Sequence, residues 1–291
     1  MIVNEHVNKK IMLKIMIGLT GLSFLIIASY GGFTYIGIKQ YIQQTEYSTS
    51  NQLLAAKAAR SVREAKKKEP VYITLPGAKQ IRALVDDYSS PSSIWALANK
   101  THVLPIDYIP NSLKIPNVST RTDKSNDERS VRSELETPLI DMFAAANAYS
   151  YQLMIGSGYR SAALQKVYYD SLASSVGETA ANQAIALPGQ SEHQTGLAVD
   201  ISTISRNCYL DNCFADTSDG KWLVENSYKF GFILRYPEDK VAITGYQYES
   251  WHFRYVGIDL ATALHDSKLT LDEAWPYLEK AEITLKNNGA L

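Results

Sequence analysis

The most extended pattern along the chain is an unbroken apolar one. From Ile15 to Ile38, 24 residues run without a charge. As a helix this stretch covers roughly 36 Å, enough to cross a bilayer core with some tilt. Lys9, Lys10 and Lys14 precede it, an asymmetry that keeps the N-terminus cytoplasmic and sends the rest of the chain across the membrane. A cleaved signal peptide is the competing reading. It would carry a shorter apolar region, about 7 to 15 residues, and a small-x-small cleavage site. No convincing A-x-A is present, so an uncleaved anchor over residues 1–40 is the expectation. "NQLLAAKAARSVREAKKKEP" comes next, helix-prone and stopped by Pro70. It predicts a helical stalk and linker over 41–91.

Beyond it, helical and strand periods alternate. "TPLIDMFAAANAYS" reads as a helix with Thr137 as N-cap and Pro138 in the first position. "YQLMIGSGYR" reads as a strand ending in a glycine turn. "SAALQKVYYDSLASS" is a helix capped by Ser161, and "ETAANQAIALPG" a shorter one ended by Pro188. "LAVDIS" is a strand, "DGKWLVENSYKFG" a helix stopped at Gly231, and "FILRY" and "ESWHFRYVG" are further strands. "LDEAWPYLEKAEITLKNN" closes the chain as a helix. "DDYSSPSS" (86–93) and the polar stretch 117–134 read as loops, the second as a mobile one. Without regular βαβ spacing, the mixture predicts an α+β domain over 92–291, with helices packed on a small, mostly antiparallel sheet.

Composition narrows the function. A formal net charge of −1 offers no basic excess to neutralise phosphates, which argues against nucleic acid as a partner. Nineteen tyrosines against seven phenylalanines suit a polar surface or groove but identify no ligand. Cys208 and Cys213 are close enough to form a small disulfide loop in an oxidising compartment. A zinc pair is the alternative, although no second Cys or His pair stands at finger spacing.

The chain has five histidines, and two of them stand in unusual settings. In "GQSEHQTGLAVDIS" (189–202), Leu197, Val199 and Ile201 face the core, while Asp200 points to the other face. Gly196 permits a sharp turn that could return His193 toward Asp200. The plain alternative is a solvent-facing aspartate beside a surface histidine. In "ESWHFRYVG", Glu249 precedes His252 by three residues, so a shared site needs a bend or bulge there. Two histidines and one carboxylate make a three-ligand zinc shell with a fourth position for water, and Glu249 could serve that water as general base. In "SGYRS" (157–161), Arg160 at the end of a strand could stabilise an oxyanion or hold a carboxylate; a surface salt bridge is the plainer reading.

Taken in order, S-G-Y-R-S, P-G-Q-S-E-H-Q-T-G-L-A-V-D and E-S-W-H-F-R resemble the zinc D-alanyl-D-alanine carboxypeptidases of the VanY type, a likeness that covers about residues 92–262. The resemblance implies one zinc ion held by His193, Asp200 and His252, with Glu249 as catalytic base and Arg160 steadying the oxyanion. It implies that Gln165 and Ser191 help Arg160 hold the substrate's terminal residue, and that Trp251 and Arg254 give packing and support. The implied substrate is the C-terminal D-alanine of a peptidoglycan stem peptide, cleaved by an extracytoplasmic domain on a bacterial membrane. The same ligands would serve an L,D-carboxypeptidase or an endopeptidase, and a non-catalytic wall-binding module should have lost one of them. "SDGK" and "SRN" match fragments of a serine-peptidase pattern, but no K-T-G comes after them. Lys57, Arg60, Arg63, Lys66, Lys67 and Lys68 of the stalk read as a solvated helix face, or as a contact for anionic wall polymer or lipid.

Overall fold

The computed structural model describes residues 33–66 and 69–291. Most of the apolar run proposed as an anchor therefore lies outside the described residues. Among those described, no helix is long and apolar enough to cross a membrane. The chain divides into two units, Met1–Ala65 and Lys66–Leu291. The first is described by one long helix, α1 (Phe33–Lys66). Residues 43–63 of it are exposed throughout, with Leu53, Leu54 and Val62 in solvent. Alanine and long unbranched side chains supply its helix propensity, and over residues 43–63 no apolar stripe is covered by packing.

The second unit is α+β, as the alternating patterns predict. Two short hairpins come first in the chain: β1 (Tyr72–Ile73) with β2 (Ile81–Arg82), and β3 (Leu113–Lys114) with β4 (Val131–Arg132). Between β3 and β4 lies a single helical turn, α2 (Asn126–Arg129). The main sheet has four antiparallel strands in the order β5 (Leu153–Ser157), β6 (Ala198–Thr203), β8 (His252–Tyr255), β7 (Phe232–Leu234). Around it stand α3 (Glu136–Asn147), α4 (Ala162–Val176), α5 (Glu178–Ala184), α6 (Ser218–Asn226), α7 (Val241–Thr244), α8 (Ile258–Ser267) and α9 (Leu271–Asn287).

The period-two pattern of β6 sorts its side chains as expected. Leu197, Val199 and Ile201 enter a core with Leu139 and Met142 of α3, Phe232 and Phe253. Removing a side chain such as Phe253, which is fully buried, would cost about 3–5 kcal/mol. The opposite face of β6 is covered too: Ala198, Asp200 and Ser202 are all buried. A second core joins Ile233 and Val256 to α8 and α9.

Several boundaries differ from the sequence expectation. Ile73, Leu75, Ala83 and Tyr88 pack in the second core, so the compact unit takes in residues assigned to the linker; their apolar side chains needed a partner that α9 supplies. A 3-10 turn, Ser133–Leu135, leads into α3 at Glu136, so Thr137 and Pro138 lie inside the first turn and Leu135 stands at the cap. Pro at that point loses no hydrogen bond, because first-turn N–H groups have no helical partner. α5 ends at Ala184, four residues before Pro188. Ser161 caps α4 as expected, its hydroxyl accepting from Leu164 N at 3.2 Å. Gly231, at φ 87°, stops the 3-10 extension of α6.

Candidate metal centre

The register of the main sheet builds the site. Asp200 of β6 is paired with Ser157 on one side and with His252 on the other. Directly opposed residues of antiparallel strands project to the same face. Asp200 and His252 are therefore neighbours by strand pairing, and both are buried. The alternative of a solvent-facing aspartate is overturned.

His193 reaches the same point from the 3-10 turn Glu192–Thr195, which Gly196 closes at φ 68°. That left-handed conformation is the one glycine adopts without steric cost. His193 Nδ1 lies 2.6 Å from the Gly158 carbonyl. Donation there leaves Nε2 as the lone-pair nitrogen, and it stands 3.4 Å from Asp200 Oδ2. Gly158 is needed for this approach: a Cβ there would meet the Ser130 carbonyl oxygen at 2.3 Å. Its N–H donates to Glu128 O, and Tyr159 N donates to Ser130 O. The polar stretch 117–134, expected to be a mobile loop, thus contains α2 and forms a backing for the histidine.

The bend expected before His252 is a turn. Its N–H donates to Glu249 O at 3.3 Å, and β8 begins at His252 rather than at Glu249. Glu249 Oε2 comes to 3.5 Å from His252 Nδ1, which also lies 3.2 Å from Asp200 Oδ1. The imidazole of His252 stands edge-on to that of His193, with ring centroids 4.9 Å apart.

Burial and neighbouring charges move the buried groups of the site in different directions. Burial alone would raise the pKa of Asp200, but His193 and His252 hold it far below the usual carboxylate range. Burial pushes His193 down, keeping it neutral, whereas Asp200 and Glu192 overcome burial and lift His252 to about 9. Burial, reinforced by Asp200, pushes Glu249 up to about 7 against the pull of His252. Asp200 Oδ1 is buried with no hydrogen-bond partner among the described residues. Ligand atoms of His193, Asp200 and His252 all lie within 4.8 Å of one another. Nitrogen and oxygen donors in a 2-His-1-carboxylate set suit zinc, so the residues present fit the ion.

The remaining sequence candidates line the same cleft, a cavity of about 200 Å³. Arg160 Nη1 donates to Gln165 Oε1 at 3.0 Å and Nη2 to Ser157 Oγ at 3.1 Å, while Nη2 lies 3.9 Å from Asp200 Oδ2. Its Nε is buried with no acceptor among the described residues. Gln165 is anchored by donation from Nε2 to Ala186 O at 2.7 Å. Ser191, Glu249 and Trp251 complete the wall.

Sequence reasoning missed Glu192, Arg235, Tyr236 and Tyr246. Glu192 Oε1 accepts from Arg235 Nε and from Arg254 Nη1, each at 2.8 Å, and Oε2 stands 3.6 Å from His252 Nε2. The side chains of Glu192, Arg235 and Arg254 are fully buried. Arg235 also donates to Asp272 at 2.6 Å. Tyr236 packs against the His252 ring, centroids 4.9 Å apart, and Tyr246 packs on Tyr236. The signal for Glu192 was its place beside His193.

A buried His-Asp-His set with a carboxylate and a guanidinium in one cleft has the composition that a mononuclear metallopeptidase centre requires. The sequence pattern described as VanY, D-alanyl-D-alanine carboxypeptidase, matches residues 128–258. The chain is 46% identical over 198 residues to the YodJ protein of Bacillus subtilis (strain 168), a putative carboxypeptidase by name, covering 68% of this chain and 71% of YodJ. Against a D-alanyl-D-alanine carboxypeptidase of Enterococcus faecalis (strain ATCC 700802 / V583), identity is 39% over 158 residues, 51% of this chain and 56% of that one. Among solved structures, the LdcB LD-carboxypeptidase is 47% identical with a TM-score of 0.61, covering 65% of this chain and 87% of LdcB. A VanY D,D-pentapeptidase mutant in complex with Zn(II), from a VanB-type vancomycin-resistance cassette, is 32% identical with a TM-score of 0.51, covering 65% and 99%. The chain belongs to the VanY D-alanyl-D-alanine carboxypeptidase family and is a zinc-dependent peptidase of that type.

Proposed function

We propose that the protein removes the C-terminal D-alanine of peptidoglycan stem peptides, and that it acts on the L,D bond of tetrapeptide stems. The observation that carries the carboxypeptidase reading is the convergence of Arg160, Gln165 and Ser191 with Glu249 and the His-Asp-His set on one cleft. The L,D refinement rests on the likeness to LdcB, which is greater in identity and TM-score than that to the zinc-containing VanY structure. The D,D bond of pentapeptide stems is the second reading, favoured by the description of the family pattern.

His193, Asp200 and His252 would hold zinc, which when bound acidifies a water and polarises the scissile carbonyl. Glu249 takes the proton of the attacking water as its oxygen adds to that carbonyl, then delivers the proton to the leaving amine. Arg160, with its unpartnered Nε, donates to substrate oxygen, either the developing oxyanion or the terminal carboxylate. Gln165 holds the guanidinium in place, and Ser191 lies beside the substrate's terminal residue. The apolar run Ile15–Ile38 and its preceding lysines support a membrane anchor with the catalytic unit outside the cytoplasm, where the Cys208–Cys213 disulfide would persist. There the basic α1 could also meet anionic wall polymer or lipid.

The test is release of D-alanine from muramyl tetrapeptide and pentapeptide by the zinc-loaded full-length protein. Release chiefly from tetrapeptide is expected; release from pentapeptide that stops there would move the assignment to the D,D bond. Glu249→Gln should keep zinc and lose roughly 10²–10⁴-fold in turnover. No release from either substrate by zinc-loaded protein would overturn the carboxypeptidase reading.

A further inference from the structure

Between β6 and α6 the chain makes an excursion that the proposed chemistry does not use. Cys208 and Cys213 are disulfide-bonded across it, with Cα atoms 5.4 Å apart. Three residues in and before this small loop, Arg206, Cys208 and Leu210, have φ of 58°, 55° and 50°. None is glycine, and each such left-handed residue costs on the order of 1 kcal/mol or more, so the conformation persists only where its surroundings hold it. They do so on two sides. Tyr209 donates to Gly156 O of β5 at 3.3 Å, and its ring lies against the Arg121 guanidinium, 4.7 Å from centroid to carbon. On the other side, Ser250 Oγ donates to Asp211 O at 3.2 Å and Ser250 N to Asn212 Oδ1 at 3.4 Å. Ser250 is buried and directly follows Glu249. Leu210, at the tip, lines the cleft with Arg160, Glu249 and His252.

We propose that the disulfide-closed loop is a positioning element for the reaction: it pins Ser250, and through it the carboxylate of Glu249, while Leu210 forms one wall of the substrate cleft. This deepens the function proposed above and rests on it. Opening the disulfide frees the strained segment, Ser250 loses its two acceptors, and Glu249 no longer meets the attacking water in one geometry. A misplacement of about 1 Å in a catalytic group can cost around a hundredfold in rate. The metal ligands sit on β6, β8 and the Glu192–Thr195 turn, none of which hydrogen-bonds to the loop's tip, so zinc binding is expected to be untouched.

The experiment compares oxidised full-length protein with the Cys208→Ser/Cys213→Ser variant, with Ser250→Ala and with the combination. Zinc content, kcat and KM are measured on whichever stem peptide the wild type cleaves. Wild-type protein treated with tris(2-carboxyethyl)phosphine, its fold checked by circular dichroism, supplies the reduced state should the double serine variant fold poorly. Expected are a ten- to hundredfold fall in kcat at full zinc occupancy and a combined variant no slower than the worse of its parents, because both act through one contact. Leu210→Ala should raise KM with kcat little changed. Equal kcat in oxidised and opened forms, additive losses, or loss of zinc with the disulfide would overturn the proposal. No turnover by the oxidised wild type would instead remove the functional reading on which it stands.

Discussion

Glu192 carries its charge where no water reaches it, between two arginines that are equally enclosed. A buried carboxylate persists as an ion only when paired and hydrogen-bonded, and here Arg235 and Arg254 supply both. Its second oxygen stands 3.6 Å from His252 Nε2, too long for a hydrogen bond but close enough to attract a hydrogen on that nitrogen, while Nδ1 faces Asp200 and Glu249. Such outer carboxylates orient metal-binding imidazoles, and their loss commonly costs 10–100-fold in affinity. Glu192→Gln should therefore weaken zinc by about that factor in competition with a chelator; unchanged affinity would show that the contact is only structural. At this scale the sequence was legible where residue type and setting clashed. A histidine in a polar turn and an aspartate in an apolar strand drew attention to His193 and Asp200. Glu192 did not stand out, because its partners lie 43 and 62 residues away and its place beside His193 is the one local hint.

At the scale of elements, α2 shows why a polar stretch was misread. Every residue of "SNDERS" is hydrophilic, which reads as loop, yet Ser125 and Glu128 form a reciprocal capping box. Glu128 is buried against Lys124 and Tyr168, which donate to it at 2.8 and 2.5 Å. Burial alone would raise its pKa, but Lys124, Tyr168 and Ser125 bring it down to about 2. A folded-state value below the unfolded one adds stability that is complete above about pH 4.5 and fades as pH falls toward 2. Glu128→Gln should thus melt below the wild type at neutral pH, with the gap closing across that acid window. A gap that stayed constant or widened on acidification would contradict the pairing. Strands with strict alternation and helices with capping serines were legible for the opposite reason, since period and cap are local. Pairing register, which sets Asp200 opposite His252, is not local and emerged only from the fold.

At the scale of the molecule, one sheet face is filled by apolar side chains, while the other carries Asp200 and His252 of the site beside Ala198 and Ile233. The β6 strand serves both, and its alternation announced the first face in the sequence. The second face was legible only in part, because an aspartate at a polar position of a strand looks the same whether water or a metal covers it. The linker boundary was hidden for a similar reason: Ile73, Leu75 and Tyr88 lie in short segments whose apolar partners come from α9, some two hundred residues later. Family membership joins these pieces, since the matched residues 128–258 contain every proposed ligand and the base.

His193, Asp200 and His252 are the residues proposed to hold one catalytic zinc. Anomalous diffraction at the zinc edge from crystals of the zinc-loaded protein tests this most directly. A single strong peak is expected about 2.0–2.2 Å from His193 Nε2, an Asp200 carboxylate oxygen and His252 Nδ1. No peak among those atoms, or a peak held by other residues, would contradict it.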